Sequence, residues 1–297
     1  MELNSKKLVY PLAMTVILIW GMTFLATKVL LTWLKPTEVL FYRYVVAYIA
    51  LFAISPRPFG LLSLKDEGVI AASGIFGITL NFILENSALM YSTASNVSLL
   101  VTTAPMLTGL FAHFLTKDEK LSPSFAWGCL FGLGGVVLIV FNGHVVLKLN
   151  PLGDILALCA AMSFVSHSLI VRKIRKDIPL IMIARKTVFY SLLSLMPLLA
   201  TPVIGWHPEV LREPAVIGNL LFLGVLASAL CLVLWNKVIW SLGAVKANNM
   251  IYLSPPVTMI AAALILGERI TPLAVLGAAM ILTGVFVSQH HKVELAE

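Results

Sequence analysis

The amino-acid sequence predicts an all-α membrane protein with ten transmembrane helices in two inverted five-helix repeats. Three observations predict it: a composition too apolar for a water-facing surface, ten long apolar runs, and a residue pattern that recurs at an offset of 149 positions. Of 297 residues, 59% are hydrophobic and only 12% are charged. Soluble domains carry about 25% charged residues, so this chain has too little charge to coat a soluble surface. In lipid every backbone N–H and C=O must be satisfied internally, which leaves helices or closed barrels. The runs lack the alternation of barrel strands, so helices are predicted.

Each span follows from a run of about 20 apolar residues. The first, Val9–Thr32, lies behind Lys6 and Lys7. It is long enough to span and has no small-residue cleavage site, so it reads as a helix and not as a cleaved leader. Lys35-Pro36-Thr37 opens Thr37–Ile54, where proline cannot continue the preceding helix and threonine can cap the next. Ser55-Pro56-Arg57-Pro58 separates it from Val69–Tyr91. Ser95–Thr116 and Ser122–Phe141 follow, and Asn150-Pro151-Leu152-Gly153-Asp154 then opens Asp154–Val171. Leu180–Leu199 comes next, and His207-Pro208-Glu209 precedes Ala215–Trp240. Ala247–Leu266 and Pro272–Ser288 complete the set. No connection is large enough to hold a soluble domain. Cys129, Cys159 and Cys231 all lie inside apolar runs and read as small packing residues, with no disulfide framework.

The net charge of +7 does not imply nucleic acid, because the basic residues sit in short connections. With the N-terminus inside, Lys6, Lys7, Arg57, Lys65, Lys117, Lys120, Arg172, Lys173, Arg175, Lys176, Lys246 and Lys292 face the cytoplasm. Only Lys35, Lys148, Arg212 and Arg269 face outward. The expected location is therefore the cell inner membrane, multi-pass, with both termini cytoplasmic.

The repeat is the most informative feature. Glu119-Lys120-Leu121-Ser122-Pro123 recurs as Glu268-Arg269-Ile270-Thr271-Pro272, and the same offset maps Gly128 onto Gly277 and Gly135 onto Gly284. With a one-residue slip Pro105 falls on Pro255, and Pro36 followed by Arg43 echoes Pro179 followed by Arg185. Residues 1–147 and 148–297 are the expected repeats. An odd number of helices in each half inserts the second upside down, a geometry suited to alternating access.

On Trp20-Gly21, Pro36…Arg43, Pro105, Glu119-Lys120-Leu121, Pro255, Glu268-Arg269-Ile270 and Gly277…Gly284, the chain resembles the drug/metabolite transporter superfamily, in its ten-helix form with two EamA domains. The resemblance covers nearly the whole chain. It implies export of amino acids, metabolites or drugs, by exchange or ion coupling, from a cavity lined by helices one, three, four, six, eight and nine. The second half lacks a counterpart to Trp20, where Met162-Ser163 stand instead.

Polar side chains within spans are costly and are candidates for function. The candidate substrate-binding residues are Trp20, Thr23, Asn81, Glu85, Asn96, Thr103, Ser163, His167, Ser228, Trp235, Asn248, Asn249 and Tyr252. Asn81 and Glu85 are spaced i, i+4 and share a helix face. Glu85 binds a proton or cationic group, or else reaches an outer vestibule. Asn96, Asn248 and Asn249 are gate residues or helix caps, and Ser163 and His167 share a face, with His167 a relay or a packing residue. The breaks at Pro105 and Pro255-Pro256 either offer backbone dipoles to substrate or are packing kinks. Arg43, Arg185 and Lys186 read as interface anchors or packing partners, with contact to substrate as the alternative, and Lys237 as a side chain that snorkels to the inner interface. The glycine stripes on helices five and ten pack the two halves or form a dimer face.

No phosphate loop, His-Glu-x-x-His, Gly-x-Ser-x-Gly or Cys-x-x-Cys motif is present in the sequence, so no enzyme is expected. No cofactor and no metal are expected. The expected partners are a small-molecule substrate and membrane lipid, not nucleic acid; proton or ion coupling and a homodimer are left open. The expected function is secondary active export of amino acids or related metabolites by alternating access. The alternatives are an exchanger or importer of nucleotide-linked or phosphorylated metabolites, and a polytopic membrane enzyme.

Overall fold

The computed structural model describes residues 2–56, 60, 62–91, 97, 100–115, 122–141, 151–199, 207–266 and 270–289. Among them the chain is helical, with no strand, and the helices group into ten segments. These are α1 (Glu2–Leu30), α2 (Pro36–Ile54), α3 (64–91), α4 (Ala104–Leu115), α5 (Pro123–Phe141), α6 (Pro151–Val171), α7 (Leu180–Leu199), α8 (Pro214–Leu242), α9 (244–266) and α10 (Pro272–Gln289). Thr37–Ile54, Leu64–Glu85, Pro151–Val171, Leu180–Pro197 and Pro214–Leu242 are long and apolar enough to cross a membrane, and shorter apolar helices accompany them.

Several boundaries differ from the sequence expectation for local reasons. The third helix starts at Leu64 and not at Val69, because Ser63 caps it by accepting the Asp66 N–H at 3.2 Å. Asp66 and Glu67 then lie in its first turn, where the helix dipole favours acidic groups. The ninth starts at Ala244 and not at Ala247. Gly243 alone joins it to α8 at φ 84°, a conformation that only glycine adopts without strain.

The largest departure lies inside two helices. The third and eighth spans were expected to be continuous α-helix. Each instead contains a π-helical stretch, Ile75–Leu80 in α3 and Phe222–Leu230 in α8. Moving the first stretch by the repeat offset of 149 lands it inside the second. The proline breaks also recur. A turn at Thr102 and Thr103 precedes Pro105, and the 3-10 stretch Met250–Leu253 precedes Pro255. The duplication is thus written in backbone irregularities as well as in residues.

Helix contacts follow the same two-fold logic. α1 packs on α8 and α9, and its counterpart α6 packs on α3 and α4. α2 meets the π stretch of α8, while α7 meets that of α3, and α5 pairs with α10 along its length. The glycine stripe explains that last pairing. A Cβ on Gly284 would stand 2.6 Å from the Gly128 carbonyl oxygen and 2.8 Å from the Gly132 nitrogen. The stripe therefore lets the halves touch backbone to backbone, and it is consumed inside the molecule and not offered to a second copy.

Candidate functional site

The two ends of the bundle are tied by charged side chains. At one end Glu38, wholly buried, accepts the Lys35 N–H at 2.8 Å and the His207 N–H at 2.8 Å, with His207 Nδ1 at 3.1 Å. This joins the α1–α2 connection to the α7–α8 connection. At the other end Lys186 donates to Glu67, and the Tyr190 hydroxyl donates to the same carboxylate at 2.6 Å. Arg185 donates to the Ser55 carbonyl. Arg185 and Lys186 are therefore packing partners. In the nearby connection Arg175 donates to Asp177 and holds its carboxyl below the ordinary carboxylate range.

Between these ends the halves are stitched by side chains that reach carbonyls of the opposite repeat. Trp20 of α1 donates its indole N–H to the Ala227 carbonyl at 3.1 Å, inside the π stretch of α8. Ser163 of α6 donates to the Phe76 carbonyl at 2.7 Å, inside the π stretch of α3. No chemical counterpart of Trp20 stands in the second half, yet Ser163 occupies its place and makes the equivalent bond. Asn81 donates to the Ala160 carbonyl at 3.0 Å, and His167 Nδ1 lies 3.0 Å from both the carbonyl and the hydroxyl of Ser73. Donation from Nδ1 to the carbonyl leaves Nε2 as the acceptor nitrogen. Gly77 is required opposite it, since a Cβ there would overlap the imidazole ring.

A cavity of about 220 Å³ opens at this seam. Trp20 and Thr23 line it from α1, Arg43 and Tyr44 from α2, and Gly77, Ile78, Asn81, Phe82 and Glu85 from α3. Val101 and Ala104 come from the proline break of the first half and Ile251 from that of the second. Phe164 and His167 of α6 and Ala227, Ser228, Leu232 and Trp235 of α8 complete the wall. The wall is mostly apolar. The Trp20 and Trp235 rings lie 5.0 Å apart at 54°. Arg43 donates Nε–H to the Ser228 hydroxyl at 2.6 Å, and its guanidinium lies 5.2 Å from the Phe82 ring and 5.6 Å from the Tyr44 ring.

The structure thus brings seven of the sequence candidates to one cavity: Trp20, Thr23, Asn81, Glu85, His167, Ser228 and Trp235. Ser163 stands behind the wall, bonded to α3. Thr103 bonds to the Leu100 carbonyl at 2.6 Å within its own turn. Asn248 sits in a buried network with Thr108 at 2.8 Å and Ser168 at 2.9 Å, and Asn249 donates to Ser288. Tyr252 packs beneath Gly132 of α5. Asn96 lies outside the described residues. Arg43, whose sequence context left anchor, packing and substrate-contact readings open, lines the cavity together with Tyr44, so the second helix joins a wall from which the resemblance omits it. The cue available was an arginine seven residues inside a span, deep enough to need a partner.

Comparison with known proteins gives a consistent picture. The EamA-like transporter family matches the chain twice, over residues 7–141 and 151–288. The Bacillus subtilis transporter YcxC is 27% identical over 89% of this chain and 87% of its own length. A probable terminal-alkyne amino-acid exporter from Streptantibioticus cattleyicolor is 28% identical over 96% of this chain and 94% of its own. A probable amino-acid metabolite efflux pump from Escherichia coli is 24% identical over 93% of each. One crystal structure superposes with a TM-score of 0.76 at 19% identity, covering 95% of this chain and 97% of the other, and so shares the fold.

Proposed function

The chain belongs to the EamA-like transporter family and is a membrane transporter, not an enzyme, and on that premise we propose that it exports amino acids or closely related small metabolites by alternating access. The observation that carries this reading is the cavity at the seam of the halves, where both repeats contribute wall residues. A site shared by two pseudo-symmetric halves is exposed first to one side and then to the other when the halves rock. Relatives named as amino-acid exporters support the substrate class. So does size. Drug-sized ligand sites run from about 300 to 1,000 Å³, and a cavity of about 220 Å³ suits a single compact metabolite better than a nucleotide-linked one.

Orientation belongs to the same proposal. The contacts group the connections by side: α1–α2 meets α7–α8 through Glu38 and His207, and α2–α3 meets α6–α7 through Asp66 and Arg175 at 3.6 Å. This is the alternation that ten crossings require. With the basic bias of the sequence, it favours an inner-membrane protein with both termini cytoplasmic. Protein-dependent flux of an unmodified amino acid across a liposome bilayer tests the reading.

A further inference from the structure

The cavity holds one cationic and one anionic side chain in an apolar wall, an arrangement that is costly in a membrane unless each charge meets a partner. Arg43 is anchored through Nε alone, on the Ser228 hydroxyl. The Phe82 and Tyr44 rings support its guanidinium. Its two terminal nitrogens make no hydrogen bond with any described residue, nor are they sealed away from the cavity that Arg43 lines. Glu85 likewise makes no hydrogen bond with a described residue. Arg43 and Glu85 line the same cavity, yet among the described residues they close no ion pair, unlike Lys186 with Glu67 or Arg175 with Asp177. The indole N–H of Trp235 also has no hydrogen-bond partner among the described residues.

The geometry points to a zwitterion clamp. Arg43 receives a carboxylate through its paired terminal N–H groups, the fork that matches a carboxylate's two oxygens. Glu85 receives the ammonium. The Trp20–Trp235 pair takes an apolar side chain. A solute that carries both a carboxylate and an ammonium offers a partner to each of Arg43 and Glu85, which line one cavity. An amine or an acid of the same skeleton satisfies one charge and strands the other. The favoured ligand is therefore an α-amino acid with a small apolar side chain. This assignment rests on the export reading above and adds which residues read which end of the solute.

The test is counterflow of labelled L-leucine in proteoliposomes containing the full-length protein. Competitors are unlabelled L-leucine, 3-methylbutylamine, which lacks the carboxylate, and 4-methylpentanoate, which lacks the ammonium. Wild-type protein is expected to prefer leucine over either analogue by at least about tenfold. Arg43→Gln is expected to lose that preference against the amine, and Glu85→Gln against the acid, while both variants elute and melt as folded protein. Equal competition by all three solutes at the wild type overturns the clamp, whatever the folding of the variants. So does wild-type leucine exchange in both folded variants. If wild-type protein exchanges none of the twenty common amino acids, the export reading itself fails and the clamp falls with it.

Discussion

Asn81 shows how a buried polar residue in this protein serves two tasks. Its side-chain amide nitrogen holds α6 through the Ala160 carbonyl, and the residue also lines the cavity. Asn81→Ala removes one hydrogen bond, a cost of about 1 kcal/mol, which is too little to unfold the bundle. Flux is expected to fall while protein abundance and melting temperature stay near wild type. Trp20→Phe is expected to behave alike, since it removes the indole donor to Ala227 and keeps an aromatic ring. Parallel measurement of flux and thermal melting checks both; wild-type flux in both variants contradicts their placement. At this scale the sequence was partly legible. Asn81 and Glu85 could be read together because a spacing of four survives in the α-helical stretch Asn81–Tyr91. Pro36…Arg43 and Pro179…Arg185 look alike in sequence, so the same alternatives stood open for both arginines. Yet Arg185 is spent on the Ser55 carbonyl while Arg43 turns into the cavity. Motif recurrence reports common ancestry of position, and the partner each side chain meets is fixed only by packing.

At the level of elements, the expected helices are present and their interiors are not as expected. A π stretch adds a residue to a turn without disturbing the run of apolar side chains, so hydrophobicity alone cannot reveal it. The proline breaks were readable because proline removes a backbone donor at a known position. The glycine stripe was readable as close packing, but its partner was open until α5 and α10 were seen together. Gly284→Leu drives a side chain against the Gly128 carbonyl and is expected to cost about 1–3 kcal/mol or more by overpacking. Gly218→Leu is the matched control, because a Cβ at Gly218 meets no atom of the described residues within 4 Å. Melting in detergent is expected to drop by several degrees for the first and stay unchanged for the second. Equal melting of the two would show that the α5–α10 contact does not hold the halves.

For the whole molecule, two repeats meeting at one cavity make orientation and transport parts of a single account. Lys176 and Glu209 are both exposed in connections assigned to opposite sides of the membrane. In a cysteine-free background, a cysteine at position 176 is expected to be shielded from an impermeant thiol reagent in intact cells and one at 209 to react. Labelling of both from the same side contradicts the inverted arrangement. The overall architecture was legible because spans, charge bias and a constant offset are linear properties of a chain. The cavity was not, because it is assembled from residues of seven helices whose azimuths depend on π stretches and proline breaks. The most direct measurement of the central claim is amino-acid flux in proteoliposomes of the purified protein. The account predicts saturable movement of an unmodified amino acid in the presence of the folded protein and none in empty liposomes. A folded protein that moves no amino acid, or that converts one chemically without moving it, would contradict the account.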